Sequence, residues 1–261
     1  MTDRKRVCGP VVSVPPAFEV PEQPSFTRDR NADNCRKLYL KLGWATKAMG
    51  SAYYESGKIK IGCSVYGPRP NKTFSFQNVA KLNCEIKFSP FSMPERKGHM
   101  QSAEEKDYGF LLEAALSPSI LLHLYPKSSI DVYIEVLESD GTVATLAAAI
   151  TCASAAIADA NIECIDLVTG VSLLYKIQGQ EYWVDPDFMD ECGRPRPHGS
   201  LVLGYMAALG HVTQVWNKGK CVPERLAALL GKCTETAKGI RLVVNHTLCQ
   251  EKSGSLVNEK P

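Results

Sequence analysis

Five carboxylates are the residues of this chain best placed to do chemistry. Asp185, Asp187, Asp190 and Glu191 crowd a proline-containing stretch, and Asp140 precedes a glycine that opens a long apolar segment. Carboxylates gathered in this way either hold a divalent cation and assist proton transfer, or form a solvated acidic surface. A second candidate is the basic pair Arg96-Lys97, which reads either as a contact for the phosphates of a nucleic-acid strand or as solvated loop charge. The five histidines, at 99, 123, 198, 211 and 246, form no ligand pattern; His246 and Cys249 alone make a weak pair. Ten cysteines are never closer than twelve residues, so no Cys-x-x-Cys pair or zinc-knuckle spacing exists. Cys63, Cys84 and Cys152 fall in apolar-periodic segments, where a thiol acts as a small hydrophobe. The expectation is no metal, no cofactor and reduced, structural thiols.

The elements that must position these groups are legible as periodicities. Ala52–Glu55, the turn Ser56-Gly57 and Lys58–Tyr66 predict a β-hairpin, with Ile59, Ile61, Cys63 and Val65 alternating against polar residues. Regular structure is expected to start there. Leu82, Cys84 and Ile86 predict a third strand. Ser102 and Glu105 form a capping box for a helix whose apolar side reads as Phe110, Leu111, Ala114 and Ala115, ending near Ser117-Pro118. Ile130, Val132, Ile134 and Val136 alternate in a strong strand. Asp140-Gly141 then leads into an alanine-rich helix from about Ala144 to Ala160, closed by Asn161 in a left-handed conformation. Strands follow at Leu167–Tyr175, Tyr182–Val184, Ser200–Ala208 and Val212–Trp216. A last helix starts near Pro223 with Leu226, Leu229, Cys233, Ala237, Ile240 and Val244 at helical spacing. Strands followed by a helix, twice over, make an α+β chain read as one domain with two lobes of sheet covered by helix. Ser200–Trp216 reads either as an exposed sheet edge or as ordinary core.

Composition narrows the function classes. In 261 residues, 44% hydrophobic and 22% charged, thirty basic and 28 acidic residues leave a net charge of +2. That excludes disorder over most of the chain and argues against a free-standing RNA-binding module. No uninterrupted apolar run reaches the roughly 20 residues that span a bilayer, Leu146–Ala158 being the longest. Arg4-Lys5-Arg6 is not followed by the apolar stretch of a secretory signal, so the expectation is a cytosolic or nuclear chain with no membrane partner, in which the sequons at Asn71 and Asn245 are accidental. Residues 1–70 hold a basic excess of six and residues 71–261 an acidic excess of four. The excess reads as a solvated face or as a docking surface for an acidic partner or RNA. The expected organisation is an extended proline-rich arm over 1–26, a folded domain over 27–250 and a polar tail over 251–261.

Gly50-Ser51-Ala52-Tyr53-Tyr54-Glu55 through Val65-Tyr66-Gly67-Pro68-Arg69 resembles the RNase PH family, which carries a G-S-A-x-x-E hairpin followed by a strand ending in V-x-G-P-R. Further matches follow in order: Phe91-Ser92 with Glu95-Arg96-Lys97, Tyr125–Ser128 into Ile130–Val132, Glu135–Gly141, Ala158-Asp159-Ala160 and Asp166–Val168. The resemblance spans residues 36–245 and implies an RNase PH-like fold, also described as ribosomal protein S5 domain 2-like. Cys8-Gly9-Pro10, Pro15-Pro16 and Thr27-Arg28-Asp29 are similar to one eukaryotic branch, the RNase-PH-like ring subunits of the RNA exosome. That branch implies a hetero-hexameric ring of RNase-PH-like subunits, OB-fold and KH cap subunits, RNA threaded through the channel, and a place in nucleus, nucleolus and cytoplasm.

Active members of the family hold the attacking phosphate with an arginine and backbone donors in a G-T-R or G-S-R turn at a helix N-terminus, and use carboxylates before a later strand for a metal or for acid catalysis. Counting back from Ala158-Asp159-Ala160 puts that turn on Ala144-Thr145-Leu146, with leucine in the arginine position. Counting back from Val212-Thr213 puts the key aspartate position on Ser200. The resemblance with these two losses implies a catalytically inactive relative, the alternative being an active phosphorolytic 3′-to-5′ exoribonuclease. Arg96 and Lys97 are what remain for contacting RNA. Arg69 matches a family position at a strand end, where a structural role is expected.

Overall fold

The structure, a computed structural model, describes residues 28, 30–70, 78–94, 96–98, 100–177, 179–192 and 198–258, with 252–258 described by backbone alone. The expected arm over 1–26 lies outside the described residues, as do Glu95, His99 and the sequon at Asn71.

The first lobe is a five-stranded sheet built from β1 (Leu38–Leu42), β2 (Gly50–Ser56), β3 (Ile59–Pro70), β4 (Lys81–Phe88) and β5 (Ser128–Glu138), in the order β1-β2-β3-β5-β4. Neighbours are antiparallel except β4 and β5, which run parallel. The period-two pattern is realised as expected: Ile59, Ile61, Cys63 and Val65 with Ile130, Val132, Ile134 and Val136 are buried on the inner face. Regular structure begins earlier than Ala52. Leu40 and Leu42 of β1 are buried between exposed Tyr39 and Lys41, a five-residue alternation too short to stand out beside its charged flanks.

Helix α1 (Ala103–Leu116) opens with the expected capping box: the Glu105 amide donates to Ser102 Oγ at 3.2 Å and the Ser102 amide to Glu105 Oε2 at 2.7 Å. The second carboxylate oxygen accepts from the Phe88 amide at 3.0 Å, tying the helix start to the end of β4. Its buried stripe differs from the expected one. Leu111, Leu112, Ala115 and Leu116 face the core, whereas Phe110 is 69% exposed and Ala114 is exposed. At 100° per residue, positions 110 and 114 lie opposite the stripe centred on Leu112.

Helix α2 (Thr142–Asp159) is the layer shared by both lobes. Its 18 residues are apolar enough to cross a membrane by length and composition, yet 83% of that window is buried inside the fold, as befits a core helix. Two glycines bring it close to both sheets. A Cβ on Gly50 of β2 would collide with the backbone of Ala156 and Ala160, and one on Gly170 with the backbone of Ala147. Asn161 closes the helix at φ +55°, as expected.

The second sheet runs β7-β6-β8-β9, all antiparallel: β6 (Val168–Lys176), β7 (Tyr182–Val184), β8 (His198–Met206) and β9 (His211–Lys218). One face packs on α2. The other, with Val171, Leu173, Tyr175, Leu201, Leu203 and Tyr205, packs on Leu229, Cys233 and Ala237 of α4 (Pro223–Asn258). Burial on both faces extends over all of β6 except Lys176, small polar Thr169 and Ser172 included. The span Ser200–Trp216 divides into an interior strand and an edge strand, so only β9 is an edge. Helix α4 continues to Asn258 and takes in most of the segment expected as a tail. The nine described cysteines form no disulfide with one another.

Candidate functional site

Asp140, Thr145, Leu146 and Glu191, singled out in the sequence, lie together at the N-terminus of α2. The first turn of a helix carries amides without intrahelical partners and a partial positive charge, which together suit an anion. Here the anion belongs to the chain itself. Glu191, on the short helix α3 (Phe188–Cys192), places Oε1 2.9 Å from the Val143 amide and Oε2 3.0 Å from the Thr142 amide, and Thr142 Oγ1 donates to Oε2 at 3.1 Å. Burial holds the Glu191 carboxyl above its ordinary range, against the pull of the three hydrogen bonds.

The turn expected to cradle phosphate points inward. Leu146 is fully buried in the core. Thr145 Oγ1 donates to the Gly141 carbonyl at a short distance and meets Ser139 Oγ at 2.9 Å, leaving that hydroxyl engaged within the fold. Ser200 is buried on β8, paired with Leu174 on one side and Lys218 on the other, on the face of the strand that Val202 and Met206 turn toward α2. Neither residue offers a charge or a metal ligand.

The acidic cluster is not a solvated surface: arginines from the N-terminal segment pair with its aspartates. Arg36 forks onto Asp185, with Nε 2.9 Å from Oδ2 and Nη2 2.5 Å from Oδ1, and its backbone amide adds a third bond to Oδ2 at 2.9 Å. Its Nη1 reaches Asp140 Oδ2 at 2.7 Å. Arg30 spans Asp185 and Asp187, and Arg28 pairs with the fully buried Asp190 at 3.0 Å while donating to the Val184 carbonyl at 2.6 Å. Burial opposes the charge on Arg36, but Asp185 with Asp187 and Asp140 holds its pKa above the ordinary value; in return, Arg36 and Arg30 outweigh burial and hold Asp185 below its own. For Asp187, burial wins and the pKa rises. Asp140 Oδ1 accepts from the Phe188 amide at 3.1 Å, which fixes α3 and with it Glu191. Among the described residues, no group of three or more His, Cys, Asp or Glu is arranged to hold a metal.

This network also corrects the reading of the basic N-terminal segment. Arg28, Arg30 and Arg36 account for half of its excess of six, and their charge is spent inside the fold. Sequence reasoning found the carboxylates and missed their partners. The charge asymmetry between the segments was the signal that could have paired them.

The loop carrying Arg96 and Lys97 reaches the same end of the sheet, because the Ser139 amide donates to the Ser92 carbonyl at 2.9 Å. Arg96 is exposed. Lys97 is laid back: its amide donates to the Pro90 carbonyl at 3.1 Å and its Nζ lies 4.4 Å from the ring centre of buried Phe88. Arg69 stacks over Tyr66 at 4.9 Å, in keeping with a structural place at the strand end. A cavity of about 580 Å³ lies beside the network, between α2, α4 and the first strands, with Arg36 and Asp185 on its polar wall and Ala144, Ala147 and Gly170 among its apolar lining.

Comparison with known proteins gives this arrangement its lineage. Residues 34–163 match the pattern of the 3′ exoribonuclease family, domain 1, of RNase PH type. The chain is 67% identical over 255 residues to the exosome complex component mtr3 of Schizosaccharomyces pombe, covering 98% of this chain and 99% of that one. Among solved structures, rice Rrp46 aligns with a TM-score of 0.71 at 21% identity, over 84% of this chain and 98% of its own. The Archaeoglobus fulgidus exosome with RNA bound to the active site aligns with 0.69 at 18% identity, over 81% and 89%. The expected α+β, RNase PH-like fold is thus the observed one, and the chain belongs to the RNase PH family.

Proposed function

We propose that this chain is a non-catalytic ring subunit of the RNA exosome, of the mtr3 kind. It would stand beside other RNase-PH-like subunits, contact OB-fold and KH cap subunits, and help to form the channel through which RNA passes in nucleus, nucleolus and cytoplasm. The name and 67% identity of the fission-yeast relative support the assembly. The observation that carries the non-catalytic part is the Glu191 carboxylate on the Thr142 and Val143 amides. A phosphate brought to this helix start meets a half-buried carboxylate where it needs donors, and finds Leu146 where it needs a guanidinium.

Two measurements test the reading. In native extracts the chain is expected to elute only in a large assembly, and elution as a free monomer contradicts the ring. Titration of the purified chain with inorganic phosphate is expected to give no saturable signal, whereas saturable binding that Glu191→Ala leaves unchanged contradicts a blocked helix start.

A further inference from the structure

The outward face of the five-stranded sheet has a built concavity that the ion-pair network and α2 do not use. It has a volume of about 560 Å³. Its floor is small: Gly62 and Ser64 of β3, with Gly62 directly beneath Trp44, whose ring lies where a Cβ would stand. The indole Nε1 donates to the Cys63 carbonyl at 3.2 Å, so the ring is held in place as one wall. Tyr66 and Tyr133 form the other wall, edge to face with centroids 5.9 Å apart. Trp44 is 40% and Tyr133 44% exposed, so their rings are open to a visitor.

The strand register brings carboxylates to this aromatic frame. Glu85 of β4 stands beside Tyr133, and Glu135 stands beside Gly62. Lys87 shares the row of Glu135 and balances one of the two charges. Asp131, held by the Asn83 amide at 2.7 Å, adds a third carboxylate in the next row. Burial, and then the charges of Asp131 and Glu85, raise the Tyr133 phenol above its ordinary value despite Arg69. Aromatic faces with adjacent carboxylates attract a planar cation and repel a phosphodiester strand. The chain itself shows the preference, since the Arg69 guanidinium already stacks on the edge of this frame over Tyr66.

We propose that the pocket bounded by Trp44, Tyr66, Tyr133, Glu85 and Glu135 receives an arginine side chain from an extended segment of a partner protein. The guanidinium enters between the indole and the phenol of Tyr133 and donates to Glu85. The planar fork suits this slot better than a lysine ammonium, which forms neither the stack nor a two-pronged bond.

The test uses the full chain with labelled tryptophan, following the Trp44 indole N–H by NMR, assigned with Trp44→Phe. The probe is an acetylated and amidated Gly-Ser-Arg-Ser-Gly peptide. A saturable shift is expected, strengthened at low salt and weakened about tenfold or more by Glu85→Gln with Glu135→Gln, a pair of exposed positions whose fold is checked by circular dichroism. Tyr133→Leu is expected to weaken it independently. An equal response to the peptide with glutamate in place of arginine overturns the proposal. So does displacement by oligouridylate at this face, or no saturation by about 10 mM peptide.

Discussion

Glu191 Oε1 lies 2.9 Å from the amide of Val143, forty-eight residues earlier in the chain, and its other oxygen holds the amide of Thr142. The first turn of α2 is therefore capped by a side chain from a distant helix, in a fold where Gly141 at the N-cap supplies no side-chain acceptor of its own. Glu191→Ala leaves the Thr142 and Val143 amides without their acceptor and is expected to cost about 1–2 kcal/mol. Glu191→Gln, which keeps one acceptor, is expected to cost less. Urea unfolding of the two variants measures the difference, and equal losses would show that packing, not capping, is what Glu191 contributes.

Arg36 and Asp185 form the centre of the ion-pair network, with the Arg36 side chain 8% and that of Asp185 16% exposed. Removing one partner strands a buried charge. Arg36→Met is expected to destabilise by about 3–5 kcal/mol, and the double variant with Asp185→Asn by clearly less than the sum of the two singles. Additive losses in a double-mutant cycle would mean that the two side chains act separately.

The cluster carries opposite pH dependences. The folded Asp185 pKa lies below the ordinary 3.8, so its contribution is present above that value and lost as pH falls through the folded one. The folded Glu191 pKa lies above the ordinary 4.5, so its contribution is full below that value and lost as pH rises through the folded one. Asp185→Asn is therefore expected to flatten the acid loss of stability below about pH 4, and Glu191→Gln to remove a decline above about pH 4.5. Unfolding midpoints across this range test both signs.

Leu146 is fully buried in the core. Leu146→Arg is expected to destabilise by about 3 kcal/mol or more, because the guanidinium would be buried without a partner. It is also expected to yield no phosphorolysis, alone or with Ser200→Asp, while Glu191 remains on the α2 amides. Activity in the double variant would show that substitution alone, without the internal carboxylate, silenced the site.

Arg96 and Lys97 differ in freedom. Arg96→Glu is expected to weaken RNA binding by the assembled ring and to lower the salt slope by about one, whereas Lys97→Glu acts mainly through the lost contact over Phe88. Equal effects of the two on the slope would contradict this division.

Much of the fold was legible because one-sided burial leaves a period of two or of 3.6. β3 and β5, the capping box at Ser102 and the stripe on α4 show this directly. The failures have physical causes. β1 is too short for its alternation to stand out, and the apolar side of α1 lies one residue, about 100°, round from the expected one because Phe110, a large apolar residue, faces solvent. At the candidate site, an expectation for Leu146 and Ser200 was legible only through the family resemblance. The Glu191 cap was not legible, since it depends on bringing residues 142, 143 and 191 together through the second sheet and the Arg36 network.

The claim that matters most is that this chain contributes no phosphorolysis. The direct measurement is phosphate-dependent release of nucleoside diphosphates from single-stranded RNA, by the purified chain and by the ring assembled with it. The account predicts no release by the chain alone, and release by the ring unchanged when Asp185 or Ser200 of this chain is substituted without loss of assembly. Robust release that disappears on substituting this subunit alone would contradict it.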